Sequence, residues 1–165
     1  MKQQSYISLH QAVACRPALR AAVIRSTRLL PALVYGAYPL MLLWLALAHR
    51  DQLLRALAVP AAGFLTVTLL RAAINAPRPY EVLDLPPISP KDTQGKSFPS
   101  RHAACAAVIA VTAWALLPPL GAALGLIAVL IAVSRVLAGV HFLRDVVCGL
   151  LLGGFIGLAG MYLVP

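Results

Sequence analysis

Residues 134–145 read SRVLAGVHFLRD and bring three chemically capable side chains close together in the chain. His141 is a nucleophile or base. Asp145 lies four residues on, one helical turn away, where it can hold the imidazole, and Arg135 is a fixed cation. A histidine ordered by a carboxylate is a device for group transfer, and an arginine beside it can neutralise an anion. Taken alone, the same residues are equally compatible with a helix-capping pair and a cation anchoring a span end.

Two earlier stretches supply matching parts. Residues 71–79 read RAAINAPRP, and Arg71 and Arg78 form a candidate phosphate clamp, because a planar guanidinium can take two oxygens at once. Arginines at span ends also snorkel toward head groups, so the pair by itself leaves both readings open. Residues 98–102 read FPSRH, directly before an apolar run. Ser100 stands where a helix N-cap belongs, and the unpaired N–H groups behind it favour an anion. His102 falls in the first turn of that helix, as a candidate acid facing whatever anion binds.

The elements that must position these residues are membrane helices. Of the 165 residues, 61% are hydrophobic and 12% charged, and the mean hydropathy is +0.84. Soluble domains are about 45–50% apolar and about 25% charged, so the composition is that of an integral membrane protein. The formal charge of +9 would point to nucleic acid in a soluble domain. Here the cations sit between apolar runs and in an N-terminal arm, which favours anionic lipid head groups over nucleic acid. Cys15, Cys105 and Cys148 are odd in number, lack CxxC spacing and read as small buried residues.

Residues 1–28 carry Lys2, Arg16, Arg20, Arg25 and Arg28, and Arg16 and Arg20 interrupt any signal-peptide core. Their apolar stripe is imperfect. The arm is expected to form one or two helices at the bilayer surface, with Pro17 opening the second, or else a partly disordered basic tail. Residues 29–165 form the expected membrane-embedded domain. Residues 29–48 make a first charge-free span; 56–70 are charge-free again, and this second span is expected to continue through Arg71 to residue 74, so that it ends on a cation. The run 103–134 is too long for one crossing, and Pro118-Pro119 divides it into two. A fifth span covers 146–164, where Gly149, Gly153 and Gly157 offer one close-packing face. The fold class is therefore all-α, a bundle of five expected spans plus an interfacial arm. This count brings the connections after the second and fourth spans to one side, where the charged stretches can meet. The connection 75–101, with Pro86-Pro87, Pro90, Gly95 and Pro99, is expected to be an ordered loop covering the site.

Together, Arg71-x6-Arg78-Pro79, Pro99-Ser100-Arg101-His102 and Ser134-Arg135-x5-His141-x3-Asp145 resemble the three-part signature of the type 2 phosphatidic acid phosphatase family, membrane lipid phosphatases that share their site with vanadium haloperoxidases. The hydropathy pattern extends the likeness from about residue 29 to the C-terminus. The resemblance implies that His141 is the nucleophile that takes the phosphoryl group, that Asp145 orients it, and that His102 protonates the leaving oxygen. It also implies that Arg71, Arg78, Ser100 and Arg135 hold the phosphate oxygens. The sequence departs from the family pattern in three ways. Arg71 replaces the usual lysine, Arg101 replaces the usual glycine, and five spans stand where six are usual. Arg101, long enough to reach beyond the transferred phosphoryl group, joins the phosphate-binding candidates as a contact for a second phosphate.

Phosphoryl transfer needs positioning and charge neutralisation, which several arginines and a helix end supply without a metal. Glu81, Asp84 and Asp92 share the loop at irregular spacing, as solvated residues and not as a magnesium site. The expected activity is metal-independent and cofactor-free hydrolysis of a lipid phosphate or prenyl diphosphate, of the phosphatidate or undecaprenyl pyrophosphate type, through a phosphohistidine. The competing reading is a lipid-phosphate binding or transport protein without turnover, against which an ordered nucleophile opposite an acid argues; a haloperoxidase is expected on a soluble chain. The expected location is the cell membrane. Five spans put the arm on the site's side, where its cations favour a cytoplasmic face, whereas the resemblance implies the outer face.

Overall fold

A computed structural model describes residues 3–83, 85–91 and 93–163; Lys2, Asp84, Asp92 and Val164, which figure in the sequence reading, lie outside the described residues. The chain runs through α1 (Gln3–Ala14), α2 (Pro17–Ala48), α3 (Arg50–Ile74), α4 (Pro79–Val82), α5 (Arg101–Leu116), α6 (Pro118–Leu137) and α7 (Leu143–Leu158), which ends in a π-helical turn at Ala159–Leu163. Among the described residues every regular element is helical. Among the described residues, four helices are long and apolar enough to cross a membrane, and α5, at 16 residues, is a shorter apolar helix.

Each boundary has a local cause. Pro17 opens α2 at a position where its missing N–H would be unpaired anyway. The helix then continues for 32 residues, unbroken through residues 28 and 29. The second helix expected in the arm is thus the same helix as the first span: arginines are good helix formers, and the helix continues even through Pro31 and Pro39, each of which removes one ladder N–H. Asn75 ends α3 in the left-handed conformation, with φ 45° and its N–H on the Arg71 carbonyl. Pro118 opens α6 two residues after α5 ends, dividing the long apolar run where the sequence indicated.

The bundle is built around α5, which packs against α3, α6 and α7. Its buried residues are mostly small, including Ala103, Ala104, Ala106, Ala107, Ala110 and Ala113. Large side chains point outward instead: Leu40, Leu47, Leu126, Leu151 and Phe155 are exposed. Lipid tails are as apolar as leucine, so helices in a bilayer associate through close backbone packing and not through burial of large apolar groups. The glycines of α7 exploit this. A Cβ at Gly149 would come within 2.6 Å of the Ser100 carbonyl oxygen, one at Gly153 would overlap the Ala104 carbonyl, and one at Gly157 would meet Val111 at 2.7 Å.

This packing gathers the end of α3, the start of α5, the end of α6 and the start of α7 at one end of the bundle. The Ser100 N–H donates to the Asp145 carbonyl at 2.8 Å, tying α5 to α7. The α3–α5 connection is ordered over this end: the Ser97 N–H donates to Ala76 O at 2.8 Å, and the Ile88 N–H to Ala138 O at 3.0 Å. Glu81 is exposed, as expected, and is also a staple; its carboxylate accepts the Arg78 N–H at 2.7 Å and the Gly95 N–H at 3.0 Å. Helix α1 packs beneath the same end, where the Tyr6 hydroxyl donates to the Val136 and His141 carbonyls at 3.4 and 3.3 Å. The His10 ring lies against Gly139, whose φ of 78° and lack of a Cβ admit it. All three cysteines are free; Cys105 is buried, but Cys15, expected to be buried, is exposed just beyond the end of α1.

Candidate active site

Three short connections aim the polar residues. Arg71 sits one turn before the end of α3, where two loop carbonyls hold its guanidinium: Nη1 donates to Pro99 O at 2.8 Å and to Ser97 O at 3.3 Å. Arg78 precedes α4 and is held likewise, by Nε on Gly95 O at 3.0 Å and Nη1 on Val140 O at 3.2 Å. Both side chains are buried. Carbonyl oxygens satisfy part of each fork and fix its direction without cancelling its charge, which is what a preorganised anion site requires.

A cavity of about 260 Å³ opens between these helix ends. Arg71, Arg78, Arg101, His102 and His141 line it, together with Lys91, Lys96 and Gly95 from the loop. Ser100, Arg135 and Asp145 stand among these residues but do not line the cavity. Ser100 occupies the N-cap position of α5, yet its side chain makes no capping bond; its Oγ is buried and has no partner among the described residues. The expected cap is therefore absent, and the hydroxyl stays unsatisfied at the positive end of α5. Arg135 donates from Nη2 to Thr27 O of α2 at 3.1 Å, while its Nε is buried without a partner among the described residues. Arg101 is exposed, and its guanidinium lies 5.6 Å from the Phe64 ring centroid at the cavity edge.

His141 follows the Gly139 turn and is buried. Its Nδ1 is 3.5 Å from Asp145 Oδ2 and 3.3 Å from Ser97 Oγ. Ser97 Oγ in turn donates to Asp145 Oδ2 at 2.5 Å. Asp145 is itself the third residue of α7, and its Oδ2 also accepts the Phe142 N–H at 3.0 Å. One carboxylate thus caps a helix start and stands beside the histidine, so the two arrangements the spacing allowed occur together. Burial pushes the His141 pKa down from 6.5 to about 4; the Asp145 hydrogen bond opposes this, and the neighbouring Arg78 and Arg71 add to it. The imidazole is therefore neutral at neutral pH. Lys91, on the loop, is lowered to about 8 by burial and by the cations around it, Arg78 foremost.

Ser97, Lys91 and Lys96 are the residues that sequence reasoning missed. Each lies inside the loop already expected to cover the site. The signal that could have found Ser97 was its place three residues before Ser100, on the same ordered segment; for the lysines, only their sign argued.

Fold and site together define a membrane-embedded class of protein in which buried arginines face a carboxylate-held histidine at one end of a helical bundle. The chain belongs to the PAP2 superfamily, whose family model matches residues 52–165. Among solved structures it is similar to Aquifex aeolicus LpxE, with 27% sequence identity over 96% of this chain and 93% of that one and a TM-score of 0.74. It is equally similar to the transmembrane PAP2 type phosphatidylglycerolphosphate phosphatase of Bacillus subtilis, with 28% identity over 96% of this chain and 83% of that one and a TM-score of 0.74. No curated protein matches it. The chain is a multi-pass membrane protein and a phosphatase of this superfamily.

Proposed function

We propose that the chain hydrolyses a lipid phosphate or prenyl diphosphate through a phosphohistidine at His141, without a metal. The observation that carries this reading is the cavity itself, in which a neutral histidine held from behind by Asp145 and Ser97 shares the lining with Arg71, Arg78 and His102. The His141 Nε2 lone pair forms the N–P bond as the bond from phosphorus to the lipid oxygen breaks, and His102 gives that oxygen its proton. His102 then takes a proton from water, whose oxygen attacks phosphorus and frees His141 and phosphate. Arg71 and Arg78 neutralise the equatorial oxygens throughout, and Arg135, the Ser100 hydroxyl and the N–H groups at the start of α5 reinforce them from just behind the cavity lining.

The substrate is amphipathic, because the polar cavity opens at the end of a bundle whose sides are apolar. Phosphatidate and undecaprenyl pyrophosphate are the substrate types we propose, and the likeness to the Bacillus subtilis phosphatidylglycerolphosphate phosphatase adds a third lipid phosphate to test. We place residues 1–28 at the interface as a basic arm and residues 29–165 in the cell membrane.

The test is phosphate release from short- and long-chain lipid phosphates by detergent-purified protein. Activity should survive chelator and be blocked by vanadate, whose five-coordinate adduct imitates the transition state. His141→Ala should abolish turnover and leave lipid-phosphate binding measurable, since the arginines remain. Turnover by that variant at about a tenth of the wild-type rate or more would rule out a phosphohistidine, because loss of the nucleophile removes the covalent route entirely.

A further inference from the structure

Resting on the assignment of His141 as nucleophile, we propose that Ser97 is a positioning residue: its hydroxyl couples His141 to Asp145 and holds the ring with Nδ1 protonated and Nε2 bare toward the cavity. His141 Nδ1 is 3.5 Å from Asp145 Oδ2, a longer contact than the one it makes with Ser97. Ser97 Oγ is the nearer oxygen to Nδ1 at 3.3 Å, and its own hydrogen is committed to Asp145 Oδ2 at 2.5 Å. A serine hydroxyl has one hydrogen and two lone pairs. With the hydrogen given to the carboxylate, the oxygen can only accept from the ring, which requires the hydrogen on Nδ1.

The backbone makes this direction rigid. Ser97 is fully buried. Its N–H is fixed on Ala76 O at 2.8 Å, and its carbonyl accepts Arg71 Nη1 at 3.3 Å. The residue before it, Lys96, has φ 51°, in the left-handed region. A hydroxyl merely filling space needs none of these anchors, nor both His141 Nδ1 and Asp145 Oδ2 within reach.

The consequence is chemical. When Nε2 bonds to phosphorus and the P–O bond to the lipid breaks, positive charge appears on the imidazole. The Nδ1–H···Oγ–H···Oδ2 chain carries stabilisation from the buried carboxylate to that charge, and no proton has to move along it.

Three measurements on detergent-purified full-length protein test the proposal. Ser97→Ala should lower kcat by about 10–100-fold, the size usual for a group that orients a reactive ligand, with KM within about twofold. Because both act through one chain, adding Ser97→Ala to Asp145→Asn should cost less than about threefold more. In 15N-histidine spectra, assigned with His141→Asn, the Nδ1–H form of His141 should dominate in wild type and lose population in Ser97→Ala, with Ser97→Thr recovering part of both rate and population. Melting midpoints of all variants separate these effects from misfolding. An Ala variant with kcat within about threefold of wild type, or one whose loss is fully additive with Asp145→Asn and leaves the tautomer unchanged, overturns the proposal. Failure of the phosphohistidine reading would show instead as turnover by His141→Ala.

Discussion

Arg101 occupies the position after Ser100 where the family usually has glycine, and the structure leaves its guanidinium at the cavity edge over Phe64. Its backbone N–H still serves the start of α5, so the substitution keeps one function of the glycine and adds a long cation. Lys91 and Lys96 line the same cavity. A leaving phosphate gains negative charge as its bond breaks, and a cation touching it lowers the barrier by about 1.5–3 kcal/mol. A monophosphate ester offers no such group. Arg101→Gly should therefore lower the ratio of kcat/KM on undecaprenyl pyrophosphate to that on phosphatidate, by about 10-fold or more on that energy scale. An unchanged ratio in the two proteins would show that Arg101 does not select the substrate.

The α5–α7 pair is the element on which the geometry depends. Ser100, Arg101 and His102 ride on one helix start and Asp145 on the other, joined by the 2.8 Å bond from Ser100 N–H to Asp145 O. Close approach is possible only because Gly149, Gly153 and Gly157 present no side chain to α5. Gly153→Leu must push the helices apart, since even its Cβ would overlap the Ala104 carbonyl. It should destabilise the protein by about 1–3 kcal/mol, the usual cost of overpacking, and lower turnover as the site spreads. Gly154→Ala is the control, because a Cβ there meets nothing within 4 Å; its effect should stay within about 0.5 kcal/mol. Thermal midpoints in detergent compare the two, and equal melting would mean that the glycine face does not set the spacing.

At the scale of the whole molecule, the arm and the site share one end of the bundle. Helix α1 hydrogen-bonds to the His141 turn through Tyr6, and the tilted Tyr6 and Phe142 rings lie 5.4 Å apart. The α2–α3 turn at His49 lies at the other end. In a Cys15→Ser background, cysteines introduced at the exposed positions Ser8 and Gln94 should react from one side of the membrane, and one at exposed Gln52 from the other. A membrane-impermeant maleimide applied to intact cells should therefore label the first two alike, and Gln52→Cys oppositely. Labelling of Ser8→Cys and Gln94→Cys from opposite sides would contradict the shared end.

Much of this was legible in the amino-acid sequence because it depends on neighbours in the chain. Charge-free runs identify the membrane helices, Pro17 and Pro118 mark helix starts, and the i, i+4 spacing joins His141 to Asp145, all through local backbone geometry. The three motifs at span ends made Arg71, Arg78, His102 and His141 candidates for one site, and the tertiary structure brings them to one cavity. What only the tertiary structure decided depends on residues far apart in sequence. Ser97 meets His141 and Asp145 across separations of 44 and 48 residues, and Arg135 meets Thr27 across 108. No local pattern encodes those contacts; they follow from how α3, α5 and α7 pack and from the path the loop must take between them. The same holds for Ser100. Its N-cap position is local and readable, but its unpartnered hydroxyl is not, because hydrogen-bond satisfaction in a buried site is set by everything that surrounds it.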